Sequence, residues 1–202
     1  MLDALPAGAP ASQVTYAALE GLANSYANFL ADAGIARAEH IAMLLGNSVD
    51  AVALCWGAYR SGVYLTPLPT TLGPVETAYI IANATARLVI VDAGYTQAHP
   101  LPGLCPDVRF HAMNGAPEGF AALEPMLDQM PKTPRPGETP GGLMMYSSGT
   151  TGAPKGILRP LPEQANGLPP FARDLAGVFG LTAETRYLST QPLYHAAALR
   201  FV

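Results

Sequence analysis

Apolar residues recur three and four apart at Leu19, Leu22, Ala23, Tyr26 and Leu30. That period puts them on one face of a helix, which Thr15 can cap and Gly34 can stop. The pattern then changes to a continuous apolar run, Ile41 to Leu45, which predicts a strand. Asn47 and Ser48 offer a cap to a second helix of about Asp50 to Arg60, stopped by Ser61-Gly62. Tyr64-Leu65-Thr66 predicts a short strand before Pro67, and Pro74 suits the first turn of a third helix running to about Asn83. Leu88-Val89-Ile90-Val91 has the unbroken apolar character of a strand covered on both faces.

Farther along, Val108 to Met113 predicts a strand, Phe120 to Met130 a short helix interrupted by Pro125, and residues 131–140 an extended, Pro-rich surface segment. Gly142 to Met145 is again apolar, and Gly156-Ile157-Leu158 predicts a further strand. Pro169 to Val178 predicts a helix ended by Gly180, Tyr187 to Thr190 a strand, and Gln191 to Leu199 a run that begins helix-like. The chain reaches Val202 without a capping glycine, proline or polar tail, so its end is expected inside an element. Strands alternating with helices at this spacing predict a layered α/β fold, with mostly parallel sheets flanked by helices.

Composition narrows the class. Half of the 202 residues are hydrophobic and 13% are charged, as expected for a globular interior. The net charge is -4 and the only lysines are Lys132 and Lys155, which argues against a nucleic-acid partner. Met1 to Ala11 has neither the charge nor the apolar core of a signal peptide, and the most apolar later run, Ala51 to Ala58, is too short to span a bilayer. A cytoplasmic protein without a transmembrane segment is expected. Cys55 and Cys105 form no CxxC pair and are expected to be reduced and inert. His99, Cys105 and His111 lack the paired spacing of structural zinc ligands, so His111 is expected to be a core or edge histidine and His40, beside Glu39, part of a solvated turn.

The densest chemistry lies in Tyr146-Ser147-Ser148-Gly149-Thr150-Thr151-Gly152-Ala153-Pro154-Lys155-Gly156. Its glycines let the backbone approach a ligand closely, so successive N–H groups can converge on an anion. Ser147, Ser148, Thr150 and Thr151 add hydroxyl donors, Pro154 stiffens the approach, and Lys155 supplies a cation. This is not a Walker loop, because the lysine follows a proline and leads into a strand-like run rather than a helix. The bland alternative, a flexible linker, does not account for the ordered motif between two strand-like runs.

The motif resembles that of the adenylate-forming superfamily, which includes acyl-CoA synthetases, luciferase-type ligases and the adenylation domains of peptide synthetases. Ser147 stands where many members carry threonine, and both offer a hydroxyl. Thr15 to Leu30, Ile41 to Asn47, Gly62 to Pro67 and Pro192-Leu193-Tyr194-His195 look like other segments of acyl-CoA synthetases, so the resemblance covers nearly the whole chain. It implies that residues 1–202 are the first part of a large N-terminal domain, with the rest of that domain and a smaller C-terminal domain lying beyond. It implies activation of a carboxylic acid by ATP with Mg2+, followed by thioester formation with coenzyme A. It assigns Ser147, Ser148, Gly149, Thr150, Thr151 and Gly152 to the phosphates, Thr150 to the neighbourhood of magnesium, and Lys155 to catalysis. Tyr194 and His195 would line the passage between acyl pocket and adenylate, His195 in a catalytic role; a histidine merely satisfied by a helix-start carbonyl is the alternative. An adenylation module loading a carrier protein, and a non-catalytic nucleotide-binding or interaction fragment, also stay open. A partial domain is expected to expose sheet edges that favour self-association.

Overall fold

The computed structural model describes residues 13–147, 154–163 and 170–200. Thr15 caps α1 (Tyr16–Asp32), its side chain accepting the Ala18 N–H at 3.1 Å, and Gly34 ends the turn that follows with φ 70°. The chain then alternates through β1 (His40–Leu44), α2 (Val49–Arg60), β2 (Tyr64–Pro67), α3 (Pro74–Asn83) and β3 (Ala86–Asp92). Short elements follow: α4 (Leu101–Leu104), β4 (Arg109–Met113), β5 (Ala121–Ala122), α5 (Glu124–Asp128) and β6 (Gly142–Leu143). After them come β7 (Met145–Ser147), β8 (Lys155–Ile157), α6 (Pro170–Phe179) and α7 (Ala196–Arg200).

Six strands form one parallel sheet in the order β5-β4-β3-β1-β2-β6. Alternation along the central strands builds a core on each face. Ile41, Met43 and Leu45 with Leu88 and Ile90 pack against α1, α2 and α5, whereas Ala42, Leu44, Val89 and Val91 pack against α3 and α4. This is the layered, parallel α/β fold that the alternation of elements predicts.

On the first face α1 and α2 pack closely at Gly57. A Cβ there would meet the Cβ of Tyr26 at 2.7 Å and the carbonyl oxygen of Ala23 at 3.0 Å. Tyr26 is fully buried and its hydroxyl donates to Asp50 Oδ1 at 3.1 Å, joining α1 to the first turn of α2. At the other end of α2, Arg60 makes a two-pronged contact with Glu20 at 2.7 and 2.9 Å, which holds the Glu20 carboxyl below the usual carboxylate range. Trp56 lies partly buried against the same core, edge-on to Tyr59 with ring centres 6.0 Å apart.

Several sequence expectations need correction. Phe120 to Met130 is not one helix broken by Pro125; a two-residue strand precedes α5, and Pro125 sits in its first turn, where the absent N–H costs nothing. Tyr187 to Thr190 is irregular rather than a strand. His40 is not in a solvated turn but opens β1, half-buried, with its ring stacked 4.7 Å from that of Tyr64. The Pro-rich segment is tied to α1 as well as exposed, since Asn24 donates to the Lys132 carbonyl and Asn28 to those of Pro131 and Thr133. Burial pushes the Cys55 thiol up to about 12 and raises that of Cys105, so both are poor nucleophiles.

His111 is the core histidine expected, 8% exposed and edge-on to Phe29 at 5.1 Å. Burial holds it, and His40, below the ordinary imidazole value of 6.5; Arg109 adds to the effect at His111. Below that pH an unfolded imidazole takes up a proton that the buried ring refuses, so stability falls on acidification. Thermal denaturation between about pH 7.5 and about pH 5.5 is expected to give a midpoint that drops with pH, less steeply in His111→Phe. A midpoint independent of pH over that range would contradict it.

Candidate nucleotide-binding site

The apolar run Gly142 to Met145 is divided between two sheets. Gly142 and Leu143 pair with Tyr64 and Leu65 at the edge of the parallel sheet, and the Met144 N–H donates to the Leu65 carbonyl at 3.0 Å. The chain then leaves that sheet, and β7 pairs with β8 in an antiparallel hairpin, with Met145 opposite Ile157, Tyr146 opposite Gly156 and Ser147 opposite Lys155. Residues 148–153 therefore lie in sequence between the two strands of a hairpin, and that hairpin follows the carboxyl end of edge strand β6, the end at which open α/β sheets usually take their ligands.

Of the residues assigned to the phosphates, Ser148, Gly149, Thr150, Thr151 and Gly152 lie outside the described residues. The hairpin brings the remaining members, Ser147 and Lys155, directly opposite each other and exposed. Directly opposed residues on one face have Cβ atoms about 4.5–5.5 Å apart, so a hydroxyl and an ammonium can address the same anion.

The hairpin is anchored by long-range side-chain bonds. The Tyr146 hydroxyl donates to Asn83 Oδ1 at 2.6 Å, at the last residue of α3, and the Tyr79 hydroxyl, one turn earlier, donates to the Pro154 carbonyl at 3.4 Å. Burial, and after it the neighbouring Tyr79, raise the Tyr146 hydroxyl above its usual pKa, so it remains a donor. Gly156 must be small: a Cβ there would run into the Met144 methyl and lie 3.1 Å from the Tyr146 hydroxyl. Beyond β8 the Tyr64 hydroxyl donates to the Arg159 carbonyl at 2.7 Å, and Arg37 to that of Pro162 at 3.0 Å. Both ends of the connection are thus fixed to α3 and β2. A sequence signal existed only for Tyr79 and Asn83, polar groups at the end of an amphipathic helix.

Tyr194 and His195 are held by a different part of the molecule. Their rings lie 4.7 Å apart, tilted by 55°, just before α7. The His195 N–H donates to the Pro192 carbonyl at 3.0 Å, and its own carbonyl accepts the Leu199 N–H at 3.1 Å. Leu193, Ala198 and Leu199 are buried in the core beside α1 and α2, while His195 is exposed. The hairpin and the His195 segment are thus secured to separate elements, the first to α3 and β2 and the second to the turn after β1. Concavities of about 450 and 480 Å3 flank α1 and the Pro-rich segment, and neither is lined by a residue of the hairpin or by Tyr194 or His195. Among the described residues no group of three His, Cys, Asp or Glu side chains is placed to hold a metal ion.

The sequence and the fold both have known relatives. The chain is 30% identical over 199 residues to a long-chain-fatty-acid CoA ligase of Mycobacterium tuberculosis, covering 94% of this chain and 37% of the relative. It is 30% identical over 195 residues to an indoleacetate CoA ligase of Aromatoleum aromaticum, covering 94% of this chain and 38% of that one. The fold superposes on the crystal structure of an acyl-CoA synthetase of Brucella canis with TM-score 0.75 at 24% identity, over 94% of this chain and 35% of the other. The chain therefore spans less than two-fifths of the length of these relatives. The model of the AMP-binding enzymes matches residues 4–202, and the chain belongs to that family.

Proposed function

We propose that the chain is the N-terminal part of an acyl-CoA synthetase. A carboxylate oxygen would attack the α-phosphorus of ATP, the bond to the bridging oxygen would break, and pyrophosphate would leave behind an acyl adenylate. The sulfur of coenzyme A would then attack the acyl carbonyl and release AMP. The observation that carries this reading is the hairpin itself, a Ser/Thr/Gly connection with a hydroxyl and a lysine opposed at its base. Family membership and the named activities of the ligase relatives support it.

The physical obstacle is charge. A carboxylate brought to about 4 Å from a phosphate oxygen is repelled by roughly 4 kcal/mol at an effective dielectric of 20. Backbone N–H groups and hydroxyls of residues 147–152 would spread the phosphate charge, and Lys155 would offset part of it as a mobile point charge. Magnesium, entering with the nucleotide beside Thr150, would supply further positive charge. Tyr194 and His195 would border the passage to the acid. His195 is suited to that place, since its side chain is exposed and its backbone is held on both sides, the N–H by the Pro192 carbonyl and the carbonyl by the Leu199 N–H.

The protein so assembled would comprise residues 1–202 as the first part of a large domain, followed by further chain. Exposed Ile157, Leu158, Val178 and Leu188 would then be covered by that chain or by a second copy. Among the described residues no helix is long and apolar enough to cross a membrane, and a cytoplasmic setting, which holds both ATP and coenzyme A, would suit the reaction. ATP–pyrophosphate exchange by the complete enzyme, with a panel of carboxylic acids, tests the reading. The expected result is acid-dependent exchange without coenzyme A and thioester formation only with it. Exchange with no acid of the panel would overturn it, and acyl transfer to a carrier protein instead of coenzyme A would change the acceptor.

A further inference from the structure

We infer that Asn47 is the positioning residue that fixes the Tyr194-His195 segment over the carboxyl end of the sheet, its side-chain amide acting in place of one peptide unit of a neighbouring strand. The catalytic consequence rests on the reading just proposed; the geometry does not. Asn47 follows β1, which the strand order places between β3 and β2. The chain runs from β1 toward β2 on one side and from β3 toward β4 on the other, so the crevice between β1 and β3 is the switch point of the sheet. Its floor is tight: a Cβ at Gly46 would lie 2.7 Å from the Tyr95 hydroxyl, which follows β3.

The Asn47 amide makes two bonds to the segment that precedes α7. Its Oδ1 accepts the Leu193 N–H at 2.8 Å, and its Nδ2 donates to the Gln191 carbonyl at 3.1 Å. A donor and an acceptor on the residues either side of a third, here Pro192, are what one residue of a parallel β-ladder engages. Proline suits the middle position because that residue needs no N–H there. Pro192 in turn accepts the His195 N–H at 3.0 Å, so the register set at Asn47 passes through Pro192 to the histidine. Helix capping does not explain the asparagine. Ser48 already performs it, its Oγ accepting the Ala51 N–H at 3.1 Å.

The two adjacent polar residues allow the roles to be separated. In Asn47→Ala the Leu193 amide is expected to exchange with deuterium roughly five- to thirtyfold faster, the equivalent of losing two net hydrogen bonds. Ser48→Ala, which removes the cap alone, should leave Leu193 exchange no faster than its effect on the whole fold requires. In the complete enzyme Asn47→Ala and Asn47→Asp should raise the KM for the carboxylic acid roughly tenfold with little change in that for ATP. The aspartate keeps the acceptor but sets a carboxylate oxygen against the Gln191 carbonyl, so it should not rescue. Unchanged exchange at Leu193 in Asn47→Ala overturns the clamp. Faster exchange with an unaltered KM for the acid, or an equal rise in both KM values, overturns its positioning role. If the wild-type enzyme activates no acid, the proposed reaction fails, while exchange at Leu193 still decides for or against the clamp.

Discussion

Gly57→Ala is expected to destabilise the chain by about 1–3 kcal/mol. The sign is not obvious, because alanine in a helix interior is ordinarily better than glycine by about 1 kcal/mol. Contact geometry decides. The added methyl would sit 2.7 Å from the Cβ of Tyr26, 3.0 Å from the Ala23 carbonyl oxygen and 3.1 Å from the Ala27 amide nitrogen. Two of those atoms are backbone and cannot rotate aside. Tyr26 is pinned by burial and by Asp50, so α1 as a whole must shift away from α2, loosening the Arg60–Glu20 contact at the far end. Urea unfolding should show a lower midpoint with an unchanged slope. A midpoint equal to or above that of the wild type would mean that the two helices separate at little cost.

Lys155→Ala in the complete enzyme is expected to lower adenylation about ten- to a hundredfold, matching the roughly 1.5–3 kcal/mol of one charge-assisted contact. The lysine has no ion-pair partner within the described residues, and it stands opposite Ser147 at the base of the connection. Its backbone position is secured by the hairpin ladder and by Tyr79 on the preceding carbonyl, so the loss should be one of charge rather than of folding. Arginine at this site keeps the charge but presents a rigid fork and should restore activity only in part. The measurement is pyrophosphate exchange as kcat/KM for ATP, with thermal denaturation as a control. Undiminished exchange in Lys155→Ala would remove the lysine from the mechanism.

Local chemistry made much of the fold legible. Pro74 marks the start of α3 because its missing N–H is free at a first turn, and the unbroken run Leu88 to Val91 identifies a strand because both of its faces are covered. Where position in the fold outweighs composition, the sequence misleads. Pro125 interrupts nothing because the chain has already turned out of β5. Tyr187 to Thr190 has strand-forming side chains yet is irregular among the described residues. Gly142 to Ser147 contains one apolar run but serves two sheets, a division that only the partners Leu65 and Ile157 determine. The chemical character of residues 146–156 was plain from residue types. The anchoring role of Tyr79, Asn83 and Tyr64 was not, and the first two showed only as polar groups at a helix end, since each acts across 60 to 100 residues of chain through a bond to one distant group. Asn47 was misread for a related reason: two good caps in succession leave one surplus, and the surplus one had other work.

The chain's single tryptophan is Trp56, on the helix that docks against α1. Its indole is therefore a built-in optical reporter of that junction and carries no direct signal from the hairpin, which packs on the opposite side of the sheet with α3. Intrinsic emission will follow the separation of the first two helices during denaturation, whereas a nucleotide titration needs a label placed elsewhere.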